Sequence, residues 1–246
     1  EGGYVVGASL NEEGNVEHRI ITSINDLSLL QNSKYVQSDT SGIYKQVKSL
    51  LNEGKFILFS GTPCQIGAIN SFLGKPYENL LTVDVVCNGV PAEIARHQLF
   101  EETDAQRILS FRDKEFGWVE LKSQKIVYQD KKGRTISCGH DTDPFYRIFG
   151  TGLTHRDTCN NCKYSSFPRY SDITIADFWG IKRFKEEWQD GISLIVVNNP
   201  KGMAFLDSCK EISVFEASLE ECLPANPRLV NGKKYLSWHP IVRWRH

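Results

Sequence analysis

The sequence predicts a mixed α/β fold, with a largely parallel sheet, flanking helices and a β-rich insertion in the second half. Up to about residue 104, short apolar runs typical of buried strands alternate with segments of helical periodicity. Beyond that point the pattern changes to that of a hairpin or meander, and strand and helix patterns then return. We therefore expect the sheet to continue past the insertion, because short strand–helix–strand connections produce parallel neighbours.

The first part of the chain contains two strands followed by strand–helix units. We predict strands at Tyr4–Leu10, His18–Thr22, Lys55–Phe59 and Leu80–Val86, and helices at Ile24–Leu30, Ser41–Leu51, Pro63–Leu73 and Pro91–Phe100. Pro63 and Pro91 suit the first position of a helix, where no backbone N–H is needed. The pattern also predicts that Lys55–Phe59 and Leu80–Val86 are neighbours in one sheet.

The second part begins with the insertion, which we place at about residues 104–140. We predict strands at Arg107–Arg112, Val119–Tyr128, Thr135–Cys138, Asp172–Ala176 and Ser193–Val197, and helices at Asp143–Phe149 and Gly202–Lys210. Residues 141–246 hold a cysteine-pair segment and a tail, and we expect residues 1–246 to form a single domain. The chain opens on Glu1 and its one methionine is Met203, so we interpret it as N-terminally truncated, with part of the site before Glu1.

Composition excludes several classes of function. The net charge is −1, so nothing global attracts the chain to nucleic acid or to an anionic membrane. No stretch approaches the roughly 20 apolar residues that a transmembrane helix needs. A signal peptide is not recognisable either. These features predict a cytoplasmic protein with no nucleic-acid ligand and no membrane span.

The cysteines carry the clearest chemical signal. Their number is seven, and an odd count argues against a complete disulfide framework. Cys159-Asn-Asn-Cys162 is a C-x-x-C pair, a spacing found in zinc sites, iron–sulfur sites and redox dithiols. No predicted strand directly precedes a helix at Cys159, which disfavours a thioredoxin-like dithiol and favours a metal. A chance or purely structural pair is the alternative.

Two further cysteines lie where strands are expected to end. Cys64 falls in the first turn of a predicted helix, where free backbone N–H groups and the helix dipole stabilise a thiolate. Cys87 follows the next strand, and the carboxyl ends of strands form the ligand crevice of open α/β sheets. Either residue alone would more often be part of a core. With Cys159 and Cys162 they supply the four thiolates that one iron–sulfur cluster needs.

The remaining cysteines lack such placement. Cys138 precedes Gly139-His140, and we keep it as a reserve ligand. Cys209 lies near the end of a predicted helix with apolar neighbours and is expected to serve packing. Cys222, before a proline-containing tail, is expected to be incidental.

Five motifs in a fixed order carry a family resemblance. They are Ser33-Lys-Tyr-Val-Gln-Ser38, Phe59-Ser-Gly-Thr-Pro-Cys-Gln65, Cys87-Asn-Gly-Val-Pro91, Arg156-Asp-Thr-Cys159-Asn-Asn-Cys162 and Asp172-Ile-Thr-Ile-Ala-Asp-Phe-Trp-Gly180. Together they resemble the beta-subunit family of coenzyme F(420) hydrogenases and dehydrogenases, from about Gly3 to Ile181. The sequence departs from many relatives at Asn88, where they show His, and at Ala176, where they show Gly.

The resemblance implies a 4Fe-4S cluster, FAD and an oxidoreductase subunit. Electrons would pass between a partner, the cluster, the flavin and a hydride-accepting cofactor, which is a deazaflavin or another carrier. The partner would be a redox protein or a ferredoxin-type domain. Carried over by motif, the cluster ligands are Cys64, Cys87, Cys159 and Cys162. The flavin would lie against the turn Gly61, Thr62, Pro63, Gln65 and against the segment that contains Asn88 and Gly89.

Physical chemistry gives partial support to a flavin site. The Gly61–Pro63 turn, at a helix start, could take a phosphate on its backbone amides, or it could be a plain strand–helix turn. Lys34 and Arg156 suit a pyrophosphate, with ordinary surface cations as the alternative. Asp177, at a strand end, could orient a ribityl hydroxyl or a lysine.

Three functions therefore compete at the level of sequence. The first is a flavin- and iron–sulfur-dependent oxidoreductase subunit, in which the cofactors perform the chemistry. The second is a non-catalytic scaffold that holds zinc on the same cysteines. The third is an accessory protein that passes or senses electrons without a hydride site. Colour separates them, because zinc proteins lack visible absorbance and a flavin adds bands in the blue.

Overall fold

The computed structural model describes residues 3–93, 97, 101, 103–114, 117–118, 125–139 and 142–230. Most of the expected helix at Pro91–Phe100 and the first part of the expected strand at Val119–Tyr128 lie outside the described residues. The remaining expected elements can be compared directly with the structure.

The strands form two sheets within the described residues. They are β1 (Tyr4–Leu10), β2 (Val16–Ile21), β3 (Ile57–Gly61), β4 (Leu80–Val85), β5 (Ala105–Asp113), β6 (Lys125–Asp130), β7 (Thr135–Gly139), β8 (Ile173–Asp177) and β9 (Ser193–Val197). The main sheet has the order β2-β1-β3-β4-β8-β9. Strands β1, β3, β4 and β8 are parallel, and the edge strands β2 and β9 are antiparallel to their neighbours. The prediction of a mixed α/β fold with a largely parallel sheet is confirmed.

The insertion is a separate antiparallel sheet with the order β5-β6-β7. Its β6–β7 turn is closed by Asp130, whose Oδ1 accepts from the backbone N–H groups of Lys132 at 2.9 Å and Arg134 at 2.8 Å. Gly133 has a φ of +78° in this turn, a conformation that favours glycine. After the insertion, β8 and β9 join the main sheet, as the sequence predicted.

Seven α-helical segments with defined bounds, several of them a single turn, lie between or after these strands in the described chain. They are α1 (Leu27–Leu30), α2 (Ile43–Asn52), α3 (Pro63–Leu73), α4 (Pro144–Thr151), α5 (Asp157–Asn160), α6 (Pro200–Ser208) and α7 (Leu219–Cys222). Helix α6 begins two residues earlier than predicted, because the Asn199 side chain caps it by accepting from the Gly202 amide at 2.9 Å. Strand β3 ends two residues later than predicted, because Gly61 still pairs with Asp84 of β4.

Apolar layers cover both faces of the main sheet, as is usual for parallel strands. On one face, helices α2 and α3 pack on the sheet with Val47, Ile66 and Phe59 fully buried. On the other face, Leu81 and its neighbours pack against Phe205 of α6. Within the described ranges, none of the helices is both long enough and apolar enough to cross a bilayer.

Asp172, immediately before β8, joins three elements with one buried carboxylate. Its Oδ2 accepts from the backbone amide of Thr82 at 2.7 Å and from the Thr82 hydroxyl at 2.8 Å. Its Oδ1 accepts from Asn199 Nδ2 at 2.9 Å, and the Lys201 ammonium lies 3.5 Å away. Strand β4, strand β8 and the start of α6 are therefore held together by this one side chain.

Replacing this carboxylate should destabilise the main sheet. Asp172→Ala leaves the buried amide and hydroxyl of Thr82 without their acceptor, and each such loss costs about 1–3 kcal/mol. We expect the free energy of unfolding, measured with urea, to fall by about 3 kcal/mol or more. Asp207→Ala on the exposed surface of α6 is the matched control and should change stability by less than about 0.5 kcal/mol. Equal effects of the two substitutions would contradict the role assigned to Asp172.

Candidate functional site

The candidate site lies at the carboxyl edge of the main sheet. Strand β3 runs directly into α3, which carries Cys64 in its first turn, and β4 runs into the loop that begins with Cys87. The two strands are parallel, with Gly61 opposite Asp84, so both turns leave the sheet at the same edge. Parallel pairing of two neighbouring strands thus places the first two cysteines side by side.

A capping box fixes the turn around Cys64. The backbone N–H of Thr62 donates to Gln65 Oε1 at 2.9 Å, and the backbone N–H of Gln65 donates back to Thr62. The Thr62 hydroxyl lies 3.2 Å from Cys64 Sγ. Pro63 has no N–H, and the N–H of Thr62 is already bonded to Gln65. Neither of these two positions therefore offers a free amide to a phosphate.

Gly61 is needed by the same cap. A Cβ atom on Gly61 would lie 3.1 Å from Gln65 Oε1 and 3.2 Å from Gln65 Cβ, which is closer than most side-chain contacts. The absence of a side chain is therefore explained by packing within the protein. This close approach gives no independent evidence for a ligand at the turn.

A buried hydrogen-bond chain continues from the cap into β2 and β3. Gln65 Nε2 donates to Ser38 Oγ at 2.8 Å, and Ser38 Oγ lies 2.8 Å from His18 Nδ1. His18 Nε2 lies 3.1 Å from the Ser60 carbonyl oxygen, and the ring stacks on Phe59. Burial lowers the pKa of His18, and the hydrogen bond to Ser60 opposes this. A neutral imidazole satisfies the chain by donating from Nε2 and accepting at Nδ1. Sequence reasoning missed this network.

The loop after β4 provides amides to two cysteine sulfurs. The Gly89 N–H donates to Cys87 Sγ at 3.3 Å, and the backbone of Val90 is hydrogen-bonded to Cys159. A short antiparallel bridge between Pro91 and His155 joins this loop to the segment that leads into Cys159. The Gly89 N–H, which the family resemblance assigned to the flavin site, therefore donates to Cys87 in this structure.

Glycine is required at position 89 for two reasons. Its φ is +96°, a conformation that side chains rarely adopt. A Cβ atom there would also lie 2.6 Å from His155 Nδ1. The loop can therefore approach the Cys159 segment closely only if residue 89 is glycine.

A second glycine brings Cys162 towards the helix that carries Cys64. Gly67 lies one turn after Cys64 in α3, and the ring of Tyr164 packs on it so closely that a Cβ atom would be 2.3 Å from Tyr164 Cε1. Tyr164 follows Cys162 by two residues. The cysteine-pair segment is thus pressed against α3 at this point.

Strand pairing and two close contacts bring the segments that carry the four predicted ligands to one edge of the sheet. Burial raises the pKa of the Cys87 thiol to about 12, and the Gly89 amide opposes the increase. The charges that add to it are those of Cys64, Cys159 and Cys162. Burial also raises the pKa of Cys159, and Cys64 and Cys162 again contribute. All four are free thiols in the structure.

The four sulfurs are not arranged as ligands of a single ion. Within the part of the chain that the structure describes, no three His, Cys, Asp or Glu side chains converge closely enough to hold one metal. A zinc ion needs its thiolates at about 2.3 Å from one point. In a 4Fe-4S cluster each thiolate binds a different iron, so the four sulfurs surround a larger volume.

The other cysteines have different surroundings. Cys138, the reserve ligand, lies on β7 with its Sγ 3.8 Å from the Tyr128 hydroxyl and packs with the core of the second sheet. Cys209 Sγ lies 3.5 Å from the Phe205 carbonyl oxygen. Cys222, which the sequence left as incidental, is buried in an apolar cluster of the C-terminal part.

Lys34 lines a cavity of about 230 Å³ at the same edge of the sheet. The cavity lies between the end of β1, at Leu10, and Phe111 of β5. Lys34 Nζ donates to the Gln31 carbonyl at 2.5 Å, and burial lowers the pKa of Lys34 to about 8. The walls combine apolar side chains with hydroxyl and amide groups. The volume is smaller than the roughly 300–1,000 Å³ of most small-molecule sites, so the cavity could hold only part of a larger ligand.

The remaining predicted flavin residues are dispersed around the edge. Asp177 forms an ion pair with Arg112 at 2.7 Å, so its charge is already compensated. Asn88 Oδ1 accepts from Arg228 Nε at 3.3 Å. Arg156 is exposed at the start of α5, and its charge acts on Cys159. The structure therefore does not assemble these residues around one described pocket.

Sequence reasoning also missed a buried ion pair beneath the cysteines. The side chains of Asp84 in β4 and Arg169 are both 0% exposed, and Arg169 Nη1 lies 3.8 Å from Asp84 Oδ2. Burial raises the pKa of Asp84 and lowers that of Arg169, while their mutual attraction opposes both shifts. One signal was available in the sequence, namely a carboxylate within the apolar run Leu80–Val85.

Comparison with a family model agrees with this architecture. Residues 54–221 match the model described as the C terminus of the coenzyme F(420) hydrogenase/dehydrogenase beta subunit. The match covers β3, α3, β4, the insertion and all four grouped cysteines. No curated protein matches the chain.

A solved structure has a similar fold. A chain in the xenon-derivatised F(420)-reducing NiFe hydrogenase complex from Methanosarcina barkeri aligns with a TM-score of 0.55 and 14% sequence identity. The alignment covers 93% of the present chain and 74% of that chain. At this level of identity, the likeness supports the fold and not the individual site residues.

The contact between Gly67 and Tyr164 gives a stability prediction. Alanine inside a helix normally stabilises relative to glycine by roughly 0.5–1 kcal/mol. For Gly67→Ala we expect the opposite sign, a loss of about 1–3 kcal/mol, because the new methyl group overlaps the Tyr164 ring. Urea denaturation measures the change.

The matched control is Gly150→Ala in α4, where a Cβ atom would meet nothing within 4 Å. This substitution should be neutral or stabilising. A Gly67→Ala protein as stable as Gly150→Ala would show that Tyr164 does not rest on α3 in solution.

Proposed function

Since this chain belongs to the coenzyme F(420) hydrogenase/dehydrogenase beta-subunit family, we propose that it is an oxidoreductase subunit that binds a 4Fe-4S cluster and FAD. The proposed cluster ligands are Cys64, Cys87, Cys159 and Cys162. The observation that carries the proposal is geometric: parallel β3 and β4 bring Cys64 and Cys87 to one edge, and the Gly67–Tyr164 and Gly89–His155 contacts draw the Cys159–Cys162 segment to it.

The surroundings of the sulfurs suit a cluster bound through thiolates. The Gly89 amide donates to Cys87, and the Val90 backbone is bonded to Cys159. Such N–H···S bonds stabilise negative charge on sulfur and are among the features that set cluster potentials. Cys64 also lies at the N-terminus of an eleven-residue helix, where the dipole favours an anion.

A zinc scaffold receives less support from the same residues. The four thiols interact electrostatically, yet among the described residues no three ligand-type side chains converge on one point. Four thiolates can hold either zinc or a 4Fe-4S cluster, and the family to which the chain belongs is named for redox enzymes. The iron–sulfur proposal is therefore preferred over the zinc alternative.

We place the flavin beside the cavity around Lys34. Strand β1 is parallel to β3, so its end at Leu10 lies at the same edge as Cys64. Electron tunnelling falls off steeply with distance, and a flavin at this edge would be near the proposed cluster. Bound FAD would supply the exchange between one-electron and hydride transfer. Lys34, in a half-buried position, would hold a phosphate or another anionic group.

The hydride acceptor and the partner follow from the family and the fold neighbour. The neighbour is part of a complex that reduces coenzyme F(420). We therefore propose a deazaflavin or a related hydride carrier as the substrate. A further redox subunit or a ferredoxin-type domain would supply electrons to the cluster.

The cluster is tested by Cys159→Ser in the full-length protein, purified and reconstituted without oxygen. Iron and sulfide per protein should fall to background, because a serine hydroxyl at neutral pH is a poor iron ligand. The far-UV circular dichroism should not change, since Cys159 lies outside the sheet. Cys209→Ser is the matched control and should retain iron, because the Cys209 thiol donates to the Phe205 carbonyl at the end of its own helix. Zinc in place of iron in the unmodified protein, or full iron retention in Cys159→Ser, would refute the ligand set.

The flavin is tested by Lys34→Gln in the same preparation. Loss of a charged hydrogen-bond donor at a phosphate costs about 1.5–3 kcal/mol, so FAD should bind at least about tenfold more weakly. Fluorescence titration of apoprotein with FAD measures the affinity. Lys45→Gln on exposed helix α2 should leave it unchanged. Equal FAD affinity in both variants would exclude Lys34 as a flavin contact.

Gly61→Val is a less specific test of flavin binding than the position of Gly61 in the turn suggests. The valine side chain would contact Gln65 and disturb the cap next to Cys64. Loss of FAD in that variant could therefore follow from damage to the cluster site. Lys34→Gln avoids this difficulty because Lys34 lies in a separate cavity.

A further inference from the structure

Arg169 and Asp84 form a fully buried pair under the carboxyl end of β4. Both side chains are 0% exposed, and the charged groups approach to 3.8 Å between Nη1 and Oδ2. Neither oxygen of Asp84 has a hydrogen-bond partner among the described residues. The nearby hydroxyls of Thr174 and Ser171 lower the pKa of Asp84, against the effect of burial. Burying two charges this way is costly and stabilises little by itself.

The guanidinium is fixed by backbone carbonyls from two distant segments. Arg169 Nη2 donates to the carbonyl oxygens of Leu229 at 2.9 Å and Arg228 at 3.1 Å. Its Nη1 donates to the Tyr164 carbonyl at 3.4 Å. The side chain therefore has one defined position between the cysteine-pair segment and the C-terminal part of the described chain.

Arg169 lies next to two of the segments that carry cysteines. Its Nη1 donates to the carbonyl of Tyr164, two residues after Cys162, and its partner Asp84 precedes Cys87 by three residues. Besides Asp84, the groups that raise the pKa of Arg169 against the effect of burial are Cys162 and Cys87. Arg169 Nε is buried and has no acceptor in the described part of the protein. One N–H donor of a permanently charged group is thus available close to the sulfur site.

We propose that Arg169, positioned by Asp84, is the buried cation that compensates the negative charge of the cysteine-bound cluster and raises its reduction potential. This inference rests on the proposed function, because it requires a cluster on Cys64, Cys87, Cys159 and Cys162. Arg169 is a positioning and tuning residue and not a ligand.

The direction of the effect follows from charge. Reduction adds one electron to a site that already holds four thiolates, and a nearby cation stabilises the more negative state more strongly. A buried cation does so with little screening by salt. Removing it should therefore make the cluster harder to reduce.

Removing Arg169 alone would leave Asp84 buried without its partner, and such a protein could fail to fold. The test therefore uses Asp84→Asn as the background and compares it with the double variant Asp84→Asn, Arg169→Gln. The pair differs only in the cation, and neither protein contains an unpaired buried carboxylate. In the Asp84→Asn background the guanidinium keeps its three carbonyl acceptors, which hold it in place and offset part of its charge. Arg169→Lys, with Asp84 intact, is the conservative variant that keeps the charge.

The measurement is the midpoint potential of the cluster, by anaerobic titration followed in the visible spectrum and by electron paramagnetic resonance. We expect a lower potential in the double variant than in Asp84→Asn, and a potential near that of the unmodified protein in Arg169→Lys. Arg183→Gln removes an exposed cation that is paired with Glu221 and should not shift the potential.

The outcomes separate this inference from the function on which it rests. Equal potentials in Asp84→Asn and the double variant, both with full iron content, would overturn the role of Arg169 and leave the cluster assignment intact. An equal shift in Arg183→Gln would show a general charge effect and would also overturn it. Absence of iron from the unmodified protein would overturn the proposed function, and the inference with it.

Discussion

The parallel pairing of β3 with β4 is the constraint on which the site depends. It brings the α3 turn and the loop after β4 to one edge, and so fixes the positions from which Cys64 and Cys87 emerge. The cysteine-pair segment joins this edge through two close approaches, at Gly89 against His155 and at Gly67 on α3. The sheet thus positions Cys64 and Cys87, and the two glycines allow the cysteine-pair segment to pack against the same edge.

In the proposed cluster-bound protein charge would be a second constraint, because four thiolates at one edge would repel one another. Fixed dipoles and a buried cation would oppose this repulsion. The Gly89 amide donates to Cys87, and the start of α3 adds its dipole at Cys64. Arg169 lies beneath, between the cysteines and Asp84. Together these groups would offset the negative charge of the thiolates. Because Arg169 is buried, its charge would act more strongly than that of exposed lysines.

The parts of this arrangement that local patterns encode could be predicted from the sequence. Apolar runs with short turns predicted β3, α3 and β4 as neighbours, and the family resemblance drew the four cysteines together. The close packing on Gly67 could not be predicted, because Tyr164 is far away in the chain and one glycine in a helix has no distinctive pattern. Arg169 was missed for a similar reason, since its burial depends on carbonyls near residue 229 that only the folded chain brings to it.

The α3 turn illustrates how the structure narrows an ambiguous motif. A glycine–threonine–proline turn at a helix start can bind phosphate or simply close a capping box, and the sequence does not distinguish the two. In the folded chain the Thr62 amide is bonded to Gln65, and a side chain at Gly61 would strike the same glutamine. One N–H group cannot serve the cap and a pyrophosphate equally well. The turn is therefore best understood as the rigid base of Cys64, and this is the reason for placing the proposed flavin at the cavity that Lys34 lines.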